Sequence, residues 1–325
     1  MLPSSGAFEL PLIPSPSVRL CASDRIATMG SCFAQHVGRQ LSDWGYRYYF
    51  TESERSDGGP PIFSCRYGNV YTVRQALQLI DRSERPDDDI GEIWMRNGRF
   101  FDAYRPLVHP EGFPSEAQLL GDRRRHLHNV ASLLATMDVL IFTLGLTEAW
   151  LSRTTGTAYP SAPGVLAGDF DPTLHSFHNF GVEEVVSDLR LFISRLRQRN
   201  PLLKVILSVS PVAIAATYEQ RHVLVSSTYT KSVLRVAADT ITREFDGVDY
   251  LPTYEAIVAP NYRYRFLNPD CRTVTPAGVR HAMRLFATYF EGASTPPDTS
   301  GHLAAANALA NGSQVLCDEE YNQPA

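Results

Sequence analysis

The chain has 325 residues, 44% of them hydrophobic, enough apolar material for a full core and long for a single domain. Its net charge of −5 argues against a nucleic-acid or anionic-membrane surface as the main partner. The cysteines, Cys21, Cys32, Cys65, Cys271 and Cys317, are odd in number and lack Cys-x-x-Cys spacing, so they fit neither a disulfide framework nor a zinc site.

Residues 1–20 read as an N-terminal extension. They have neither a basic start nor a continuous apolar run, so no signal peptide is expected and the expected location is cytoplasmic. The longest apolar run, around "VLIFTLGL", is too short to span a bilayer. Ile26 to Met29 is a strand-type run, and Phe33, Val37, Leu41 and Trp44 then recur at helical spacing. "YRYYF" (46–50) reads as a short strand, "VYTVRQALQLI" (70–80) as a helix and "RSERPDDDIGEIW" as an acidic exposed insertion. A helix is expected from Ser115, its N-cap, through Met137, followed by a buried strand over 138–145. Gly, Pro, Thr and His dominate 151–180, which reads as a long functional loop. Then come a helix ending at Asn200-Pro201, the strand "KVILSVSPV", a helix from Tyr229, the strand "VDYLPTYE" and a last helix, "PAGVRHAMRLFATYF". The segment 291–325 reads as a mobile tail with a weak helix near 302–310. Strands alternating with helices imply an α/β fold, with a mostly parallel sheet covered on both faces in three α/β/α layers.

Within this pattern "ATMGSCFAQH" (27–36) puts Gly30 at a strand–helix corner and Ser31 and Cys32 in the first helical turn. The free N–H groups and positive dipole end there favour a thiolate. Such a corner also lies on the ligand-binding edge of an open α/β sheet. His36, four residues on, shares the helical face of Cys32 and is a candidate base. His222, after "SVSPV", is the other. His175 and His178 lack a convincing third ligand, so no metal site is expected. Lys231 is expected at a helix start, where a cation implies an anionic neighbour such as Glu148, Glu255 or a substrate phosphate. Asp102 and Arg105 in "FFDAYRP" form a local ion pair or line the site.

"GSCFA" (30–34), "FTLGLTEAW" (142–150), "NPLLKVILSVSPV" (200–212), "TYTKSVLR" (228–235) and "VDYLPTYE" (248–255) together resemble the GSCFA family. That family is similar to the SGNH/GDSL esterase–acyltransferase superfamily. The resemblance covers roughly residues 20–290 and implies one SGNH-hydrolase-like (flavodoxin-like) domain over 21–290. Laid onto the superfamily's blocks, Cys32 falls at the nucleophile, with its own N–H, Gly68 and Thr147 in the oxyanion hole. Asp270 falls in the last block, where "DCRT" puts Thr273 in place of the expected histidine. The base must therefore come from His36 or His222, with Asp270 orienting it or touching substrate. Ser31, Asn69, Glu148, Ser210, Lys231 and Arg272 are the expected substrate contacts.

The resemblance implies acyl transfer or ester hydrolysis through a Cys32 thioester, on a glycan or another small acylated substrate. No tightly bound cofactor is expected; acyl-CoA is a suitable co-substrate because a thiol esterifies more readily from a thioester. The alternative is a non-catalytic binding protein that keeps the cleft without a working triad, as the missing histidine suggests.

Overall fold

A computed structural model describes residues 12–13, 16–53, 61–89 and 91–290. Four parallel strands form the main sheet: β1 (Ile26–Gly30) pairs with β4 (Val139–Leu144), β4 with β8 (Lys204–Val209), and β8 with β9 (Val248–Leu251). The segment expected as a strand at 46–50 lies along the free side of β1 but pairs at one position only, Ile26 with Tyr48. Two backbone hydrogen bonds hold it, Ile26 N–H to Arg47 O and Tyr49 N–H to Ile26 O. Counting that rudiment, the order runs from Tyr48 through β1, β4 and β8 to β9, so the chain reverses direction between β1 and β4. In a doubly wound sheet such a switch point opens a crevice at the carboxyl ends of the two strands.

Side-chain alternation along the strands assigns the layers. Ala27, Met29, Leu140, Phe142, Val205 and Leu207 face one core, covered by α2 (Val73–Ser83), α3 (Glu116–Thr136), α4 (Val182–Arg199) and α5 (Val223–Glu244). Ile26, Val139, Ile141 and Ile206 face the other, under α1 (Cys32–Asp43), α6 (Thr253–Val258) and α7 (Pro276–Phe286). The fold is thus the expected three-layer α/β/α arrangement. Phe33, Val37 and Leu41 of α1 are completely buried, each stabilising that face by roughly 1.5–3 kcal/mol.

Three expectations are corrected. The 151–180 region is not a loop throughout: β5 (Glu148–Ser152), β6 (Ala158–Tyr159) and β7 (His175–Asn179) make a small antiparallel sheet. The acidic insertion ends inside a hairpin, β2 (Ile93–Arg96) with β3 (Arg99–Asp102), and Asp89 is bound to Arg82 at 2.7 Å. Helix α5 starts at Val223, six residues before Tyr229, because His222 caps it by accepting the Leu224 N–H on Nδ1 at 3.2 Å. Lys231 is therefore well inside a helix rather than at its start. The tail, including the weak helix near 302–310 and Cys317, lies outside the described residues, as does most of the N-terminal extension.

The junction of β1 and α1 depends on one glycine. Gly30 has φ +135°, and a Cβ there would lie 2.2 Å from the Thr143 carbonyl oxygen of β4. No L side chain fits that conformation or that gap. Gly30→Ala is expected to lose about 3 kcal/mol or more of unfolding free energy in urea titration; a loss below about 1 kcal/mol would contradict this packing.

Candidate functional site

The chain turns from β1 into α1 with Ser31 as N-cap, its N–H donating to Thr143 O at 3.1 Å. Ser31 does not cap with its side chain; its Oγ is buried without a hydrogen-bond partner among the described residues. Cys32 is the first residue of α1 and is 6% exposed. Two backbone segments close over this corner. Val70 N–H donates to Gly30 O at 2.8 Å, and the Tyr67 hydroxyl donates to Thr28 O, laying 67–70 across the end of β1. From the other side, Gly145 follows β4 so closely that a Cβ would sit 2.7 Å from Ser31 Cβ.

Gly68, with φ +69°, is held in the 67–70 crossing. Beside it the buried Asn69 accepts from Gln35 Nε2 on Oδ1 at 3.2 Å, one turn beyond Cys32. That bond orients the amide so that Nδ2 is its donor end. Thr147, the other expected oxyanion donor, is completely buried. Its hydroxyl donates to Asn179 Oδ1 at 2.7 Å and lies 2.9 Å from Thr230 Oγ1, which ties β4 to β7 and α5. Lys231 is also buried and donates from Nζ to Gly145 O at 2.9 Å. Glu255 instead meets Arg235 at 2.8 Å and the Tyr250 hydroxyl at 2.8 Å.

The candidate bases differ. His36 is half-buried against the Phe33 ring, and burial, followed by the nearby Arg39 charge, pushes its pKa down to about 4. Its ring is neutral at neutral pH. His222 is exposed and spends Nδ1 on the α5 cap, so its neutral ring carries the proton on Nε2 and presents a donor there. Asp270 closes on its own loop: Oδ1 accepts from Arg272 N–H and Thr273 N–H, both at 2.9 Å, and Oδ2 from the Thr273 hydroxyl at 2.6 Å. Desolvation raises its pKa, but these bonds, the Thr273 hydroxyl first among them, together outweigh it and hold the pKa below the ordinary carboxylate value. Thr273 thus satisfies the aspartate within its own loop. Arg272 Nε donates to Ala213 O at 2.9 Å, fastening this loop to the segment after β8. Ser210 Oγ accepts from Val212 N–H at 3.3 Å and closes a turn.

Two clefts lead away from the corner. One begins at Gly68 and Asn69, encloses about 610 Å³ with its open mouth, and is walled by Ile62, Leu107, Val108 and Pro160. Arg105 borders it, ion-paired to Asp102 and Asp122 at 2.9 and 3.0 Å, so the local ion pair expected in "FFDAYRP" is present. The second cleft begins at Tyr71 and Leu146 and holds Glu148, whose carboxylate is half-buried, accepts from Thr217 Oγ1 at 2.8 Å and has its pKa raised by burial.

The model of the GSCFA family matches residues 25–286. The chain belongs to that family. Among solved structures it is similar to a carbohydrate esterase family 3 from Talaromyces cellulolyticus (10% identity, 81% of this chain and 94% of that one, TM-score 0.38). It is also similar to an acetyl esterase mutant with acetate ion (11% identity, 80% and 92%, TM-score 0.34). A third is an acetyl xylan esterase from the rumen bacterium Butyrivibrio proteoclasticus (14% identity, 83% and 66%, TM-score 0.31). No curated protein matches the chain significantly by sequence.

In this GSCFA chain, no helix among the described residues is long and apolar enough to cross a membrane, and none of those residues cluster as metal ligands. His178 pairs with Glu184 at 2.9 Å and His175 approaches Glu92 at 3.8 Å. Sequence reasoning missed the aromatic residues of the second cleft and a buried charge network around Asp102, Arg105, Asp122 and Arg123. Within reach of that network His126 donates from Nδ1 to Glu52 at 2.6 Å, and burial, followed by Arg105, pushes its pKa down to about 4.

His36 and His126 set a pH window. In the unfolded chain both take up protons as pH falls through about 6.5, whereas the native rings stay neutral until about 4. Their contribution to stability is complete above pH about 6.5 and drains away toward about 4. Urea titrations should give a lower unfolding free energy at pH about 5 than at about 7, with a shallower slope in His36→Phe. A profile flat over that range would contradict the placement of these rings.

Proposed function

We propose that this GSCFA protein is an esterase-type acyl-transfer enzyme in which Cys32 is the nucleophile. The observation that carries the reading is the corner itself: a cysteine as the first residue of a helix, at the switch point of the sheet. Gly68 and Asn69 cross one turn away. The positive dipole end of α1 favours the thiolate over the thiol. Cys32 Sγ attacks the acyl carbonyl and a C–S bond forms. The carbonyl oxygen gathers charge, and the N–H groups of Cys32 and Gly68 and the Asn69 amide are its donors in this reading. Each such donor, preorganised, is worth roughly 2.7–4 kcal/mol.

His36, neutral and on the helix that carries Cys32, takes the thiol proton and returns it to the leaving oxygen or sulfur as the acyl bond breaks. Water or a hydroxylic acceptor then attacks the thioester; a C–O bond forms, the C–S bond breaks, and the acceptor's proton passes back to Cys32. An acyl thioester such as acyl-CoA is a well-matched donor, because exchange between two sulfurs is close to balanced. Glu148, half-buried in the second cleft, is suited to hold an acceptor hydroxyl.

The competing reading is a ligand-binding protein without turnover, favoured by the closure of Asp270 on Thr273. Intact-protein mass spectrometry after acetyl-CoA or p-nitrophenyl acetate separates the two. The enzyme gains one acetyl group, mapped to Cys32 and absent in Cys32→Ala. An unmodified Cys32 with both donors, together with no ester turnover, would leave the binding protein.

A further inference from the structure

The second cleft is built from segments that sequence patterns leave unrelated: Tyr71 before α2, Trp150 on β5, Phe177 on β7, and Tyr218 in the segment between β8 and α5. It encloses about 560 Å³ together with the solvent at its open mouth, a shallow cleft rather than a closed cavity. Its inner end adjoins the catalytic corner, because Leu146 follows Gly145, which packs on Ser31, and both Gly145 and Leu146 N–H donate to Tyr71 O.

Three features of the wall define what fits. Trp150 is the hub of an aromatic cluster, with Phe170, Phe177 and Tyr218 edge-on to it at 5.0, 5.8 and 5.0 Å. Two of these rings stay open to solvent, Tyr218 at 44% and Phe170 at 48% exposed, an unusual cost for aromatic groups beside a cleft. Polar groups interrupt the rings. Glu148 lines the same wall, and the Trp150 indole N–H is buried without a hydrogen bond of good geometry. Finally, the lining contains no Lys, Arg or His. A phosphate-bearing ligand finds no counter-charge there, and Glu148 repels it.

We infer that this cleft binds the pyranose ring of a neutral saccharide. A pyranose has an apolar C–H face that packs on aromatic rings and a rim of hydroxyls that both donate and accept. The rim meets Glu148 as acceptor and the Trp150 N–H as donor, while the face lies on Tyr218 and its neighbours. Saccharide binding stands on the cleft alone. The further role, in which a ring hydroxyl takes the acyl group from Cys32, rests on the reading above: the hydroxyl oxygen bonds to the acyl carbon as the C–S bond breaks, and its proton returns to Cys32.

The test is saturation-transfer NMR and calorimetry on the full chain with cellohexaose, xylohexaose and chitohexaose. At least one is expected to bind, with affinity reduced about tenfold or more in Trp150→Ala, in Tyr218→Ala and in Glu148→Gln. Tyr218→Ala removes an exposed ring, so it keeps the test valid should Trp150→Ala not fold. Absence of binding by all three saccharides overturns the inference, as does binding indifferent to Tyr218→Ala. Saccharide binding that responds to these variants while Cys32 resists acylation would sink the catalytic reading and leave this site standing.

Discussion

The chemistry proposed for this molecule depends on how closely β1 and β4 approach at their carboxyl ends. The Gly30 backbone lies against the Thr143 carbonyl with no room for a side chain, and the next N–H is spent on that same oxygen. This contact sets the direction in which the chain leaves the sheet and so the start of α1. It brings Ser31 and Cys32 under Gly145 on one side and under the 67–70 crossing on the other. A glycine at 145 is required for the same reason as at 30. Two strands that approach at backbone distance leave their following turns in contact, and the corner at Ser31 and Cys32 is assembled between them.

The surroundings of that corner are rigid where they must be and open where a ligand would enter. Lys231 and Thr147 are buried and spent on structure. One holds the Gly145 carbonyl from α5, and the other joins β4 to β7 and α5. The polar residues of the site therefore divide into anchors that hold the turns and groups that face a cleft, Asn69 and Glu148 being examples of the second kind. Thr273 is among the anchors, its hydroxyl donated to Asp270 within the loop before α7.

Local patterns revealed what is local. The corner at Gly30 was legible because a strand-type run gives way to helical spacing within five residues, and Ser115 announced α3 by its capping chemistry. The hairpin of β2 and β3 also carried its signal, Asn97-Gly98 between apolar runs, both now seen at positive φ. It was obscured by the acidic run before it. The pairing of β5 with β7 had no such signal: the strands are short, rich in Thr, His and Gly neighbours, and pair across more than twenty residues. Buried charges were harder still. The Asp102–Arg105 pair was legible, but its burial with Arg123 was not, because long charged side chains are usually exposed and only tertiary pairing explains their burial. The aromatic cleft combines four separate segments, so no window of the sequence contains it.

The central claim is that this corner activates a thiol. The most direct measurement is the pH dependence of Cys32 alkylation by iodoacetamide, with Cys32→Ser as the blank for the remaining cysteines and His36→Ala as the comparison. The account predicts an apparent pKa below the ordinary thiol value of about 8.5, moved upward in His36→Ala. An apparent pKa at or above about 8.5, indifferent to His36, would contradict it.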